Sequence, residues 1–337
     1  MDAVNLKKLA EQLNLSIATV SKALRDRYEV NEETKKRVRE LAQQLNYQPN
    51  PYASSLRKQK SNTIAVILPE IANNFFTLAI NGIESVAHEK GYHVLIYLTH
   101  EDYAKEVAFT NHLQSGRVDG ILMSLSDGHK DASHLQHLQE KGIPIVFFDR
   151  INEDMPTTKV TTDDYESGYK ATAHLIEQGC MHIALLVYSK GLSIAEKRME
   201  GYIQALKDHG LPVKNKLIVH CTDDRQKNFA LIEKLLKSKN RPDGIFSAFE
   251  KYAIIAYELC EKLKISIPED IKIVSFSNLE TASLLNPSLT TITQPAFDMG
   301  QKAASVLFEA LRKNQSKTPD EHIVLQSTLV QRHSTRL

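Results

Sequence analysis

Residues 6–24 read LKKLAEQLNLSIATVSKAL, and this stretch decides how the chain begins. Leu6, Leu9, Ala10 and Leu13 recur at the spacing that lines one face of a helix, and Asn14 falls where the chain needs a left-handed residue to turn. Ser16 follows as a good N-cap, and Val20, Ala23 and Leu24 give a second helix its buried face. Two short helices joined by a tight turn make a helix-turn-helix. Its outer face carries Ile17, Ala18, Ser21, Lys22 and Arg25, which are small groups, hydroxyls and cations, with no carboxylate before Asp26. Such a face can approach phosphate without repulsion. An ordinary helical hairpin of a bundle shows the same apolar spacing, so this stretch alone leaves DNA binding and bundle packing both open.

Immediately downstream, residues 30–47 predict a third helix. Asn31 can cap it, Glu32 and Glu33 favour its positive N-terminal end, and Val38, Leu41, Ala42 and Leu45 form one apolar stripe. Charge supports a separate role for this head. Residues 1–60 hold twelve Lys or Arg against seven Asp or Glu, and the rest of the chain holds 30 against 34, although the whole molecule carries only +1. A basic head on a mildly acidic body fits one segment meeting phosphate while the remainder avoids it. Residues 47–62, YQPNPYASSLRKQKSN, read as a linker, with Pro51 placed to start one short helix that needs a partner surface to persist.

From Thr63 onward, short apolar strands alternate with amphipathic helices. Strands are expected at 64–68, 93–98, 120–123, 144–148, 183–187, 217–221, 244–247 and 271–276, with a helix after each. That order implies parallel sheets covered on both faces. The run Val118-Asp119-Gly120-Ile121-Leu122 is echoed by Pro242-Asp243-Gly244-Ile245-Phe246, which points to two similar α/β lobes. The break between them is expected at 160–163, with the chain crossing back around 290–294 and 323–325. Two lobes joined by several strands leave a cleft at the carboxyl ends of their sheets, where open α/β folds bind ligands.

Other classes find little support. The N-terminus, MDAVNLKK, lacks the features of a signal peptide, and no apolar run approaches a membrane span, so a cytoplasmic location without membrane association is expected. Cys180, Cys221 and Cys260 are an odd, widely spaced set, read as buried small hydrophobes. His129, His134 and His137 sit among polar residues without a compact ligand spacing and are read as a solvated loop and helix start; neither a metal nor a cofactor is expected. An enzyme is the weaker rival, because there is no G-x-S-x-G, no G-x-x-x-x-G-K and only thirteen glycines. A solute-binding protein that only captures sugar, without regulatory DNA binding, is the alternative; it calls for an export signal and no basic head.

The chain resembles the lactose-repressor and galactose-repressor (LacI/GalR) family of transcription regulators from about Leu6 to Arg332. The motifs that carry the likeness are LKKLAEQLNLSIATVSKAL, VNEETKKRVRELAQQLNYQPNPYASSL, NNFFTLAINGIE, VDGILM, IPIVFFDR, VTTDDYESGYKATAHLIEQG, KRMEGYIQAL, PDGIF, IPEDIKIVSF and LTTITQP, in this order. The resemblance implies an all-α helix-turn-helix head on residues 1–48 and a hinge helix or linker on 49–62. A periplasmic-binding-protein-like α/β core on 63–337 follows, with two parallel-sheet lobes. The first lobe is expected at about 63–161 and 292–322, the second at about 162–291 and 323–337. It implies a homodimer on a pseudo-palindromic operator, most simply a repressor of carbohydrate-utilisation genes, with operator affinity coupled to a small effector in the cleft.

Carried over by motif, Ile17, Ala18 and Lys22 face base edges and Ser16, Thr19 and Ser21 reach phosphates. Leu56, beside Ala53 and Arg57, wedges into the minor groove. In the core the same resemblance places Phe75, Phe76, Asp149, Arg198, Phe249 and Ser277 on the effector. Two departures stand out. Ser277 replaces a carboxylate that often binds sugar, and Phe249-Glu250 stands where Asn-Asp is common. The expected effector is a sugar, a sugar acid or a sugar phosphate, and fewer acids around Arg198 would favour the charged forms, since a sugar acid leaves one charge for Arg198 to neutralise.

Overall fold

The computed structural model describes residues 5–47, 60–126, 131–188 and 191–336; the expected hinge helix, with Ala53, Leu56 and Arg57, lies outside them, as does His129. The chain divides after Ser61 into two units.

The first unit holds α1 (Leu6–Leu13), α2 (Ile17–Leu24) and α3 (Glu32–Gln44). Asn14 ends α1 in the left-handed conformation, and Ser16 caps α2 by accepting the Thr19 N–H. Asn31 caps α3 through the Thr34 N–H. Each such cap contributes about 1 kcal/mol. Leu9, Ala10, Val20, Ala23, Val30, Val38 and Ala42 form the small core. Lys35 is buried and bonds Glu32 at 2.7 Å and Asp26 at 3.1 Å, and Asp26 also takes Arg39 at 2.6 Å, so the loop after α2 is tied to α3.

The second unit contains two six-stranded sheets. The first sheet holds β1 (Thr63–Leu68), β2 (His93–Leu98), β3 (Gly120–Met123), β4 (Ile145–Phe148), β5 (Lys159–Thr162) and β11 (His322–Leu325), in the order β11-β5-β4-β3-β1-β2. It is wrapped by α4 (Asn74–Glu89), α5 (Tyr103–Leu113), α6 (Ser133–Glu140) and α11 (Ala296–Arg312). The second holds β6 (Ile183–Tyr188), β7 (Ile218–Cys221), β8 (Gly244–Ser247), β9 (Lys272–Phe276), β10 (Thr290–Thr293) and β12 (Thr328–Val330), in the order β12-β10-β9-β8-β6-β7. Its helices are α7 (Asp164–Glu177), α8 (Ser193–Asp208), α9 (Arg225–Leu236) and α10 (Glu250–Leu263). Every pairing is parallel except β12 against β10.

The repeated Asp-Gly pair has a structural cause in both lobes. Asp119 accepts the Asn62 N–H, and Asp243 accepts the Met181 and His182 N–H groups, so each aspartate fixes the segment entering its lobe's first strand, β1 or β6. Each glycine then leaves room for a core side chain: a Cβ on Gly120 would lie 2.8 Å from Leu307, and one on Gly244 3.0 Å from Cys180.

The chain passes between lobes three times, and the expected lobe boundaries need correction. β5 runs through Thr162 in the first sheet, β10 keeps residues 290–293 in the second, and β11 pairs with β5 as His322↔Lys159 through Leu325↔Thr162. Residues 323–325 therefore belong to the first lobe, and the last crossing falls at Gln326 and Ser327. The cause is legible afterwards: β11 is a half-exposed edge strand whose apolar run is only three residues long and lies between polar flanks.

One smaller expectation also changes. His134 is not solvated; it is buried, with its ring nitrogen 3.0 Å from the buried Glu106 carboxylate, whose other oxygen accepts the Ser126 N–H at 2.9 Å. The three cysteines are buried and free as expected, and burial pushes the Cys180 and Cys221 thiols up to about 12. No helix among the described residues is long and apolar enough to cross a membrane.

Candidate functional site: a base-reading helix face and an interlobe cleft

On α2 the side chains expected to meet DNA divide into free and engaged groups. Ile17 is 49% exposed despite being a large hydrophobe, and Ala18 beside it is exposed too. Both project from the first turn, where nothing in the small core competes for them. Ser16 and Thr19 hold each other, Oγ to Oγ1 at 2.8 Å. Ser21 accepts from Arg25 at its carbonyl, 3.0 Å, and at its hydroxyl. Lys22 bonds Glu29 at 2.7 Å, so the outer face is not as free of carboxylate as residues 16–25 alone imply. Both partners are exposed, and such pairs dissolve readily when a better acceptor arrives.

The cleft lies at the carboxyl ends of both sheets and encloses about 190 Å³. Phe75 and Phe76 line it from the start of α4, where Asn73 caps the helix through the Phe75 N–H. Asp149 follows β4. It is 4% exposed, in a left-handed backbone conformation (φ 62°) that few non-glycine residues adopt without a local reason. Burial pushes its carboxyl up to about 7, against the pull of Arg150 and Arg198 and with a further push from Asp164 and Glu101.

Across the cleft, Arg198 on α8 is 3% exposed. Its Nε donates to Asp164 Oδ1 at 2.7 Å, Nη1 donates to the Ala248 carbonyl at 2.7 Å, and the guanidinium sits 3.7 Å from the Phe276 ring centroid and 5.3 Å from that of Phe249. α7 and α8 approach closely enough to put it there because Gly168 and Gly201 face each other; a Cβ on Gly168 would lie 2.4 Å from the Arg198 carbonyl oxygen. Ser277, just after β9, donates to the Glu250 carboxylate, and the Asn278 and Leu279 N–H groups also face that carboxylate.

Thus Phe75, Phe76, Asp149, Arg198, Phe249 and Ser277 meet in one cavity. The expectation of a pocket poor in acids is overturned: Glu70, Glu101, Asp149 and Glu250 line it too. Glu250 reaches across to Ser277, so a carboxylate is supplied from α10 near the place where position 277 lacks one. Sequence reading noted Glu250 only as a departure, and it missed Arg150, which is buried and held by both Glu101 oxygens at 2.8 Å. The signal was present in the IPIVFFDR motif, whose last residue follows Asp149.

The raised Asp149 value gives a pH prediction. A carboxyl whose folded value is raised keeps a proton that the unfolded chain releases, so its contribution to stability falls as pH rises from about 4 to about 7. Ligand hydroxyls that donate to the carboxylate favour the ionised form, so affinity is expected to rise over the same interval. Thermal unfolding and ligand titration at several pH values check both trends; Asp149→Asn should flatten them.

Comparison with known proteins gives the same division. Residues 5–50 match the model of bacterial regulatory proteins of the lacI family, and residues 61–332 match periplasmic binding proteins and sugar binding domain of LacI family. The chain is 31% identical to the probable HTH-type transcriptional repressor ExuR of Bacillus subtilis (strain 168), over 99% of this chain and 98% of that protein. A LacI family transcriptional regulator from Enterococcus faecium with bound ribose is 26% identical with a TM-score of 0.72, covering 81% of this chain and 98% of that one. The lac repressor dimer bound to operator shares the fold at a TM-score of 0.86 and 22% identity, covering 99% of each chain. A helix-turn-helix head followed by a two-lobed sugar-binding domain, matched over nearly the whole length, makes this chain a member of the LacI family of DNA-binding, ligand-responsive transcriptional regulators.

Proposed function

We propose that the protein is a homodimeric repressor of carbohydrate-utilisation genes that binds a pseudo-palindromic operator and answers to a small sugar in the interlobe cleft. The observation that carries this reading is one chain bearing both an exposed, cation-rich α2 face and an aromatic-walled cavity with buried polar groups. A sugar-capturing protein without regulatory function has no use for the first. Ile17 and Ala18 offer apolar contact suited to thymine methyls, and Lys22, released from Glu29, meets guanine acceptors. Ser16, Thr19 and Ser21 face phosphate. Leu56, flanked by Ala53 and Arg57, enters the minor groove and kinks the duplex.

In the cleft, the rings of Phe75, Phe76 and Phe249 take the apolar face of the sugar while Asp149, Arg198 and Ser277 take its hydroxyls. The volume of about 190 Å³ suits a ligand of monosaccharide size. Ribose in the Enterococcus faecium relative supports that class. A dimer is supported by exposed Leu95 and Ile96 on β2, the outer strand of the first sheet, which a second copy would cover. Sugar binding alters the angle between lobes and so the operator affinity of the paired heads; the two affinities are then coupled reciprocally.

Selection of the full-length protein on a random operator library tests the DNA half. The wild type is expected to enrich an inverted repeat, and exchanging Ile17 and Ala18 for polar residues should change the preferred bases by about 1–3 kcal/mol per position. An unaltered preference would place base reading elsewhere.

A further inference from the structure

We infer that Glu29 is a further base-reading residue: the Lys22–Glu29 pair opens over a G·C base pair, Lys22 donating to guanine O6 and N7 while Glu29 accepts from the N4 amino group of the paired cytosine. The inference rests on the proposed role of α2 as the base-reading helix and names a residue beyond that helix which sets its preference.

The loop after α2 is built to bring Glu29 to that place. Asp26 turns the chain back in the left-handed conformation (φ 54°), and the Arg25 and Arg27 N–H groups both donate to the Lys22 carbonyl, at 3.2 and 3.1 Å. The Asp26 carboxylate is tied to α3 through Lys35 and Arg39, and the Val30 N–H donates to the Arg27 carbonyl at 3.2 Å. Glu29 therefore stands between the anchored Arg27 and the buried Val30. Its carboxylate meets the Lys22 ammonium at 2.7 Å, and both side chains are about half exposed. Lys22 holds the Glu29 carboxyl below the usual carboxylate range, first by its hydrogen bond and then by its charge, with a smaller pull from Arg27. Glu29 thus reaches DNA ionised, as a pure acceptor.

What each DNA surface offers then decides where the opened pair is matched. A lysine only donates and an ionised glutamate only accepts. In the major groove a G·C pair presents two adjacent acceptors on guanine and a donor on cytosine, so both halves of the pair find a partner. An A·T pair sets the adenine N6 donor beside N7, where a second ammonium hydrogen would need an acceptor. A phosphate offers acceptors alone: Lys22 moved there leaves Glu29 without a donor and beside like charge. Opening an exposed ion pair costs little by itself. The difference among DNA partners is whether Glu29 is matched afterwards, and it turns Lys22 from a cation that suits any phosphate into half of a reader for one base pair.

The test begins with selection of the full-length protein and of its Lys22→Met variant on a random operator library, which identifies the G·C pair that Lys22 reads. Operator affinity of the wild type and of Glu29→Ala is then measured by fluorescence anisotropy at fixed salt, on DNA carrying cytosine or N4-methylcytosine at that pair. The methylated base keeps the hydrogen that pairs with guanine and loses the one that faces the major groove. The wild type should bind the methylated operator about tenfold more weakly, whereas Glu29→Ala should distinguish the two by less than about twofold. Glu29→Ala should also bind scrambled DNA more tightly, because Lys22 is then free for phosphate, with a steeper fall in affinity as salt rises. Equal losses in both proteins on methylation, or no loss in the wild type, overturn the inference, as does a Lys22→Met selection in which no G·C preference is relaxed. Failure of the regulator reading looks different: a wild type that enriches no inverted repeat sinks both, whereas an inverted repeat read by Lys22 but indifferent to methylation sinks only the part given to Glu29.

Discussion

Arg198→Met is expected to destabilise the second unit by about 3–5 kcal/mol and to abolish sugar binding. The side chain is 3% exposed and Asp164 only 6%. Burial already holds the Asp164 carboxyl above the usual range, and Arg198 is the cation that draws it back down. Removing the guanidinium leaves that carboxylate with the Thr162 hydroxyl at 3.4 Å but no cation in a poorly solvating interior, and also strips the Ala248 carbonyl of its donor. The methionine replaces most of the apolar stem above Phe276 but none of the charge. Stability and binding can be separated with a second variant. Arg198→Met combined with Asp164→Leu removes both charges, so most of the stability should return, whereas sugar affinity should not, because the ligand still lacks its guanidinium donor. Urea unfolding and calorimetric titration give the two readouts. Sugar affinity restored in the double variant would mean that Arg198 serves only to neutralise Asp164.

Gly168→Ala should produce the second large effect, through backbone geometry. The new Cβ would lie 2.4 Å from the Arg198 carbonyl oxygen and 2.9 Å from its Cα, distances that side-chain rotation cannot relieve because both atoms are backbone. α7 and α8 must separate, at about 1–3 kcal/mol, offset in part by alanine's better helix propensity of roughly 1 kcal/mol. The functional loss should exceed the stability loss, since Arg198 moves with α8 away from both Asp164 and the Phe276 ring. Gly82→Ala is the control. It creates a clash of the same kind between α4 and α11, with the Cβ 2.1 Å from the Phe297 carbonyl oxygen, but on the lobe that does not carry Arg198. It should lower stability with a smaller effect on sugar affinity than Gly168→Ala has.

What was legible in the sequence followed from local rules. Asn14, Ser16 and Asn31 each carry a side chain or backbone preference suited to one kind of turn or cap, and each takes that role. The strands read from the continuous apolar runs at 64–68 and 183–187 are buried inner strands of their sheets, where sequence pattern and burial agree. β5 and β11 escaped because KVTT has no apolar run and HIVL only one of three residues; β5 is held by β4, and β5 and β11 are held by each other at a sequence separation above 150, which leaves no local trace. The cleft shows the same limit. Asp149 and Arg198 were found by motif, but Asp164, which holds Arg198, Glu101, which holds Arg150, and Glu250, which accepts from Ser277, sit in helices and loops whose residues look like ordinary solvated acids until the fold closes over them. Hence the number of acids near Arg198 was underestimated. Glu29 escaped for a related reason: it lies seven residues beyond Lys22, past the turn that brings it back.

The central claim is that one molecule couples a sugar in the cleft to an operator on α2. It is tested most directly by measuring operator affinity of the purified full-length protein by fluorescence anisotropy at fixed salt, without sugar and at saturating sugar, and then measuring sugar affinity with and without saturating operator. Sugar is expected to change operator affinity by a factor in the range of about 5 to 150, and operator to change sugar affinity by the same factor. Two affinities that stay independent of each other, with both ligands bound, would contradict it.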